Sequence, residues 1–152
     1  YTDGSSRGNP GPGGYGIVME DCKTGFSKQY SKGFQKTTNN RMELLAVIDA
    51  LKKLKKTKLK ITVFTDSKYV VDSIEKKWVF KWKTTGFKNK KNVDLWLEFL
   101  KVQELNNISF KWIKGHNNHP QNEICDKLAF KASENKPLLV DKGYETNLNK
   151  LL

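Results

Sequence analysis

Two acidic residues stand in nearly the same setting far apart in the chain: Tyr1-Thr2-Asp3-Gly4-Ser5 and Phe64-Thr65-Asp66-Ser67. Each reads as a strand that ends in a carboxylate and a turn. If the two strands are neighbours in one sheet, Asp3 and Asp66 present their charges side by side, which is unfavourable without a cation between them. Glu43, near the start of a helix, and Asp126, in the last long helix, bring the set to four. Four carboxylates meeting at the carboxyl edge of a sheet would hold hard, oxygen-seeking cations such as Mg²⁺. Two such ions can activate a water and stabilise the leaving oxygen of a phosphodiester. Taken singly, the four also read as turn, cap or surface acids, so their convergence is an expectation for the fold to meet.

The elements that would position them follow from hydrophobic spacing. Tyr1-Thr2-Asp3 reads as a strand end and Gly4 to Gly14 as a loop rich in Gly, Pro, Ser and Asn. Tyr15, Ile17 and Met19 alternate in a half-buried strand to Glu20. Asp21 to Gly25 reads as a turn into a paired strand, Phe26 to Phe34. A helix from about Arg41 to Lys56, capped by Asn39 or Asn40, carries Leu44, Val47, Ile48, Leu51 and Leu54. Lys60 to Thr65 reads as a strand. A helix then carries Val70 or Val71, Ile74 and Trp78, and Trp78 to Asn92 is a basic, aromatic stretch without a defined element. Val93, Trp96, Leu97 and Leu100 mark another helix; Ile108, Phe110 and Trp112 mark the last strand. Pro120 starts a helix that runs to about Asn135. Beyond about residue 136 the tail reads as polar and weakly specified. Strands, helix, strand, helices, strand, helix is the order of an α/β domain on a partly parallel sheet, one domain over 1–152.

Composition narrows the partners. Of 152 residues, 37% are hydrophobic and 11% aromatic, enough for a core. No run approaches the roughly 20 apolar residues of a membrane span, and no leader suggests secretion. We therefore expect a cytoplasmic protein, with Cys22 and Cys125 as reduced thiols. Lys plus Arg is 28 against 16 for Asp plus Glu, a net charge of +12. That excess favours a polyanionic partner. Because only Arg7 and Arg41 are arginine, a lysine-decorated solvated surface explains it as well. The Lys52 to Lys60 cluster reads as such a face.

The contexts of the acids are more specific. They are Thr2-Asp3-Gly4-Ser5 with Gly8-Asn9-Pro10-Gly11-Pro12-Gly13-Gly14-Tyr15-Gly16, then Thr37-Thr38-Asn39-Asn40-Arg41-Met42-Glu43-Leu44 and Thr65-Asp66-Ser67. Last come Lys114-Gly115-His116, His119-Pro120, Asn122-Glu123 and Cys125-Asp126. In this order and spacing, from Tyr1 to about Tyr144, they resemble the type 1 ribonuclease H family in its bacterial, free-standing form. The resemblance implies a five-stranded mixed sheet, an antiparallel meander plus parallel strands, with helices on both sides. It implies hydrolysis of the RNA strand of RNA–DNA hybrids, leaving 5′-phosphate and 3′-hydroxyl ends. Asp3, Glu43, Asp66 and Asp126 would hold two Mg²⁺ ions, with Mn²⁺ as a substitute. Asp3 would bridge the ions, Asp66 would serve the water-activating one, and Glu43 and Asp126 the other. His116, in a loop, matches the family histidine that assists proton transfer or product release. Asn122 would stand behind the site. His119, before Pro120, reads as structural, and no Cys or third His is close enough to make a zinc site.

For the substrate, the resemblance places Asn9, Asn39 and Asn40 on the minor groove, where 2′-hydroxyls are exposed and short amides can reach them. Thr38 and Lys36 would hold a DNA phosphate. Trp78, Trp82, Lys83 and Phe87 lie in a segment that mixes aromatics with Lys76, Lys77, Lys81, Lys88, Lys90 and Lys91, as nucleic-acid surfaces do. It resembles the family's basic protrusion, shortened between Phe87 and Asn92. The ordinary alternative, aromatics as core, is strongest for Trp78 and weaker for Trp82 and Phe87. The first strand is short, which leaves open whether residues precede Tyr1, and no separate hybrid-binding domain is visible. Other readings are a related nuclease or integrase on the same fold, a catalytically silent hybrid-binding domain, and a domain detached from a reverse transcriptase. The complete carboxylate set with His116, the TTNNRMEL block and the GNPGPGGYG block favour a free-standing enzyme, a monomer with no obligatory protein partner.

Overall fold

The glycine-rich segment expected to be loop is mostly strand. In the computed structural model, which describes residues 1–149, β1 (Thr2–Ser6) runs antiparallel to β2 (Gly11–Glu20), with Thr2 opposite Ile17 and Ser6 opposite Gly13. Only residues 7–10 are left to reverse the chain. Residues 150–152 of the expected domain lie outside the described residues. β3 (Ser27–Thr37) completes the meander after a turn in which Gly25 N–H donates to the Asp21 carbonyl at 2.8 Å.

The glycines have a packing reason. Side chains alternate across a strand, so Tyr15 and Ile17 face α1 (Asn39–Lys52) and join Met42 and Ala46 in a small core. Gly14 and Gly16 face the other way. A β-carbon there would strike the backbone of Ala129 or Cys125 in α5 (Pro120–Glu134). Both faces of β2 are thus covered, and the strand is buried rather than half-buried, Val18 included.

β4 (Lys60–Thr65) and β5 (Asn107–Trp112) pair in parallel, from Lys60 beside Asn107 to Thr65 beside Trp112. β4 lies next to β1 through side chains: Tyr1 stacks on Phe64 with ring centroids 4.8 Å apart. The mixed sheet thus has two hydrogen-bonded parts, antiparallel β1–β2–β3 and parallel β4–β5, which meet at β1 and β4; α1 and α5 lie on opposite faces of β2. Against α1 pack α2 (Lys68–Glu75), α3 (Trp78–Thr84) and α4 (Val93–Gln103). Trp96 sits at the centre of this larger core, edge-on to Tyr69, Trp82 and Phe99 at 5.7, 6.0 and 5.8 Å. Edge-to-face pairs of this kind add to the energy of burial.

Three expectations are corrected here. The helix capped by Asn39 or Asn40 is capped by Thr38, whose hydroxyl accepts from Arg41 N–H at 3.3 Å, and it stops at Lys52. The helix expected to reach Trp78 stops at Glu75; Lys77 takes a left-handed φ of 63°, and α3 turns Val79 inward and leaves Trp78 41% exposed. The tail is well anchored. Leu139 N–H donates to the Gly33 carbonyl at 2.9 Å and Gln35 N–H to the Leu139 carbonyl at 2.8 Å, extending the sheet edge. Asp141 is buried against Arg41, and α6 (Lys142–Asn149) follows.

Candidate active site

Asp3 is the second residue of β1, which runs on to Ser6 instead of ending at the acid as expected, and Glu43 is in the second turn of α1. Gly4 brings them together: it lies so close to the Met42–Glu43 peptide that a β-carbon would collide with that backbone. Asp66 follows directly on β4. The parallel partner β5 continues past it, with Ile113 N–H donating to the Thr65 carbonyl at 3.0 Å. One carboxylate oxygen each from Asp3, Glu43 and Asp66 lies within 4.8 Å of the others. Asp126, in α5, lines the same open cleft of about 440 Å³, which also takes in Asn39, Asn40, Lys68, Tyr69 and His116. The expected four therefore converge on one cleft, three of them as a tight group and Asp126 in its lining.

The electrostatics are those of crowded, buried anions. Burial, then the neighbouring Asp66 carboxylate, push the Asp3 carboxyl up to about 7. Burial, then Asp3 and Asp66, hold Glu43 well above the usual carboxylate range. Burial also raises Asp66, while the charge of His116 opposes it. Like charges so close favour protonation or a cation. The three donors are all hard carboxylate oxygens gathered within 4.8 Å of one another, the ligand type a hard divalent cation takes. The residues fit a divalent cation.

The other expected residues divide. His116 is exposed in the loop after β5 with a left-handed φ of 54°, and it lines the cleft. His119 is the residue before Pro120, and its carbonyl accepts from Glu123 N–H at 3.0 Å, a structural role at the start of α5. Asn122 is buried one turn before Asp126 and does not line the cleft. Asn9 accepts from Asn39 N–H at 3.1 Å, and Asn39 Oδ1 accepts from Ser6 N–H at 2.6 Å. These bonds fix the 7–10 loop against the first turn of α1. Lys36 is exposed on β3 but lines neither of the two principal clefts.

A second cleft of about 460 Å³ adjoins the first and shares Asn40, Lys68 and Tyr69 with it. Trp78, Trp82, Lys90 and Lys91 line it, while Lys83 is exposed outside it. Phe87, expected on this surface, is 6% exposed and belongs to the main core. Its left-handed φ of 57° turns the ring inward under α3. The ranking of the three aromatics as core is thus reversed: Phe87 is core, Trp82 packs on Trp96, and Trp78 is the exposed one. Sequence reading missed Ser67, Lys68 and Tyr69, which follow directly on Asp66. The repeated Thr-Asp echo ran through Ser67 but assigned a role to the acid alone. It also missed Thr65, whose hydroxyl donates to Glu43 Oε2 at 3.5 Å from inside the same echo.

A mixed sheet whose edge gathers buried carboxylates defines an α/β protein with a site suited to a divalent cation. A profile of the RNase H family matches residues 1–134, and the chain belongs to that family. The Ribonuclease H of Desulforamulus reducens is 51% identical over 146 residues, which cover 93% of this chain and 90% of that one. That of Shewanella denitrificans is 50% identical over 153 residues, covering 97% and 94%. Among solved structures, LC9-RNase H1, a type 1 RNase H with the type 2 active-site motif, is similar with a TM-score of 0.79 at 34% identity. The match covers 96% of this chain and 77% of that chain. LC11-RNase H1 in complex with an RNA/DNA hybrid is similar with a TM-score of 0.62 at 28% identity, over 88% and 94%.

Proposed function

We propose that the chain is a ribonuclease H that hydrolyses the RNA strand of RNA–DNA hybrids at the Asp3–Glu43–Asp66–Asp126 cleft. The observation that carries this reading is the trio of carboxylates, buried Asp3 and Glu43 with half-buried Asp66, within 4.8 Å of one another, in a chain of the RNase H family. Asp3, Glu43 and Asp66 would hold Mg²⁺, with Asp126 completing the set from α5. Such ions, when bound, make a water nucleophilic and offset charge on the leaving oxygen. The rest is the work of the chain. The three carboxylates arrive crowded, each held above the usual carboxylate range chiefly by burial, so charge on the substrate's own phosphates is tolerated only once cations balance it. His116, on its exposed loop, moves a proton near the leaving 3′-oxygen. Asn9, Asn39 and Asn40 line the groove side and sense 2′-hydroxyls, and Thr38 and Lys36 hold a DNA phosphate at its edge. Trp78 and Trp82, with Lys83 outside their cleft, hold the duplex further along. Asn122 supports α5 behind Asp126.

We further infer a single catalytic domain that works as a monomer in the cytoplasm. The two thiols, exposed Cys22 and buried Cys125, are unpaired, and no helix among the described residues is long and apolar enough to cross a membrane. End-group analysis tests the chemistry. Hybrid cleaved in Mg²⁺ should yield fragments with 5′-phosphate and 3′-hydroxyl ends. Cyclic-phosphate or 3′-phosphate ends would mean the 2′-hydroxyl is the nucleophile, and the carboxylate reading would fall.

A further inference from the structure

Trp112 is large, sits at the very end of β5, and is 44% exposed. It belongs to neither hydrophobic core, although Phe110, two residues earlier, does. Its position is nonetheless fixed at both ends of the indole. Nε1 donates to the Asp66 carbonyl at 2.9 Å, and the Lys68 ammonium lies 4.8 Å from the ring centroid. The same segment touches the end of β4 once more and Asp66 once more. Ile113 N–H bonds the Thr65 carbonyl at 3.0 Å, and Gly115 lies against the Asp66 carboxylate with no room for a β-carbon.

Among the described residues, Lys68 is the only lysine that lines both clefts. Among the described residues no carboxylate is within ion-pair range of its ammonium. Four carboxylates line the first cleft, and their field pulls a mobile ammonium inward, where it would occupy the place of a cation. An aromatic face under the ammonium opposes that collapse.

We propose that Trp112 is a positioning residue: its ring holds Lys68 at the boundary between the two clefts to receive a backbone phosphate of the bound duplex, and its indole N–H steadies Asp66. This rests on the reading of the cleft as a hybrid-cleaving site.

The test compares K68A, W112L and W112F with the native enzyme on a labelled RNA–DNA hybrid, from about 50 to about 200 mM salt. K68A and W112L should each raise KM about threefold to fivefold, the loss expected of one exposed cation–π-held contact. Each should also reduce the salt slope of log(kcat/KM) by about one, the signature of one phosphate contact. The double variant K68A/W112L should match K68A. W112F keeps the face and loses the N–H; it should keep the native salt slope while kcat falls and half-saturating Mg²⁺ rises. A purely structural Trp112 would lower the melting temperature and leave the slope native. Native KM and slope in K68A, whose exposed side chain has no folding role, overturn the proposal. If the native enzyme does not cut hybrid at all, the functional reading fails on its own. Equilibrium Kd for the hybrid across the same salts then decides the Lys68 contact by the same slope.

Discussion

Gly4 of β1 meets the backbone of Glu43 in α1 with no space for a side chain. The contact is what sets Asp3 beside Glu43. Gly4→Ala must therefore push the strand and helix apart, and overpacking of this kind costs about 1–3 kcal/mol. For a chain of this length each kcal/mol lowers Tm by about 2–4 °C. Cleavage should fall further than stability, because the separation opens between two carboxylates of the trio. Thermal melting beside single-turnover cleavage checks both, and a native rate in G4A would remove the contact from the account.

Asp66→Asn removes one charge from a group that already resists ionisation. Mg²⁺-dependent cleavage should be abolished while hybrid affinity stays near native. Metal-free stability should be equal or higher, because a buried charge and its repulsion of Asp3 are gone. Normal turnover by D66N sinks the site assignment.

The trio also predicts a pH dependence. Asp3 is raised to about 7, so between the ordinary carboxylate range and that value the folded chain holds a proton that the unfolded chain has released. The contribution to stability is therefore full below about pH 4 and is lost as pH rises to about 7. Glu43 and Asp66, also raised, act in the same direction. In chelator the native protein should lose melting temperature over this window relative to D3N, and Mg²⁺ should restore it near neutrality. A native-minus-D3N difference that rises with pH would contradict the crowding.

Arg41, 2% exposed, donates to Asp141 through Nε at 2.8 Å and Nη2 at 2.9 Å, and to Asp94 through Nη1 at 2.8 Å and Nη2 at 2.7 Å. Asp141 also accepts from Thr37 Oγ1 at 2.7 Å. Breaking a buried pair on one side costs about 3–5 kcal/mol, so Asp141→Ala should destabilise strongly. Asp94 is 38% exposed, and its replacement by Ala should cost clearly less. Urea unfolding ranks the two; equal losses would mean the tail is not held by this ion pair.

Phe87→Ala opens the core beneath α3 and should cost about 3–5 kcal/mol, with hybrid Kd unchanged well below the melting temperature. Trp78→Ala should do the reverse, leaving stability within about 0.5 kcal/mol and weakening hybrid binding. Filter binding and melting curves on both variants separate a core residue from a contact residue.

What the sequence made readable was local and repeated. The Thr-Asp echo was right that a strand ends at Asp66 and wrong for Asp3, where β1 runs on to Ser6; β4 was read at its true ends, and Pro120 marked the start of α5. Alternation identified β2 by Tyr15 and Ile17, but its extent was hidden because glycines carry no hydrophobic pattern. They are there for the approach of α5, a long-range contact. The cap fell on Thr38 instead of the asparagines because Asn9 and Ser6, in a distant segment, engage Asn39. Trp78 fits the helical spacing of Val70 and Ile74, yet one left-handed residue, Lys77, breaks that register and exchanges it for Phe87. Asp141 looked like one more polar residue in a polar tail; only the buried Arg41 opposite gives it a place.

If the carboxylates at this sheet edge cut RNA only when it is paired with DNA, cleavage of a labelled RNA–DNA hybrid in Mg²⁺, beside single-stranded RNA, duplex RNA and duplex DNA, shows it most directly. The hybrid's RNA strand alone should be cut, with cutting stopped by chelator and restored by Mg²⁺. Cutting that persists in chelator, or hybrid that is bound and left intact in Mg²⁺, would contradict it.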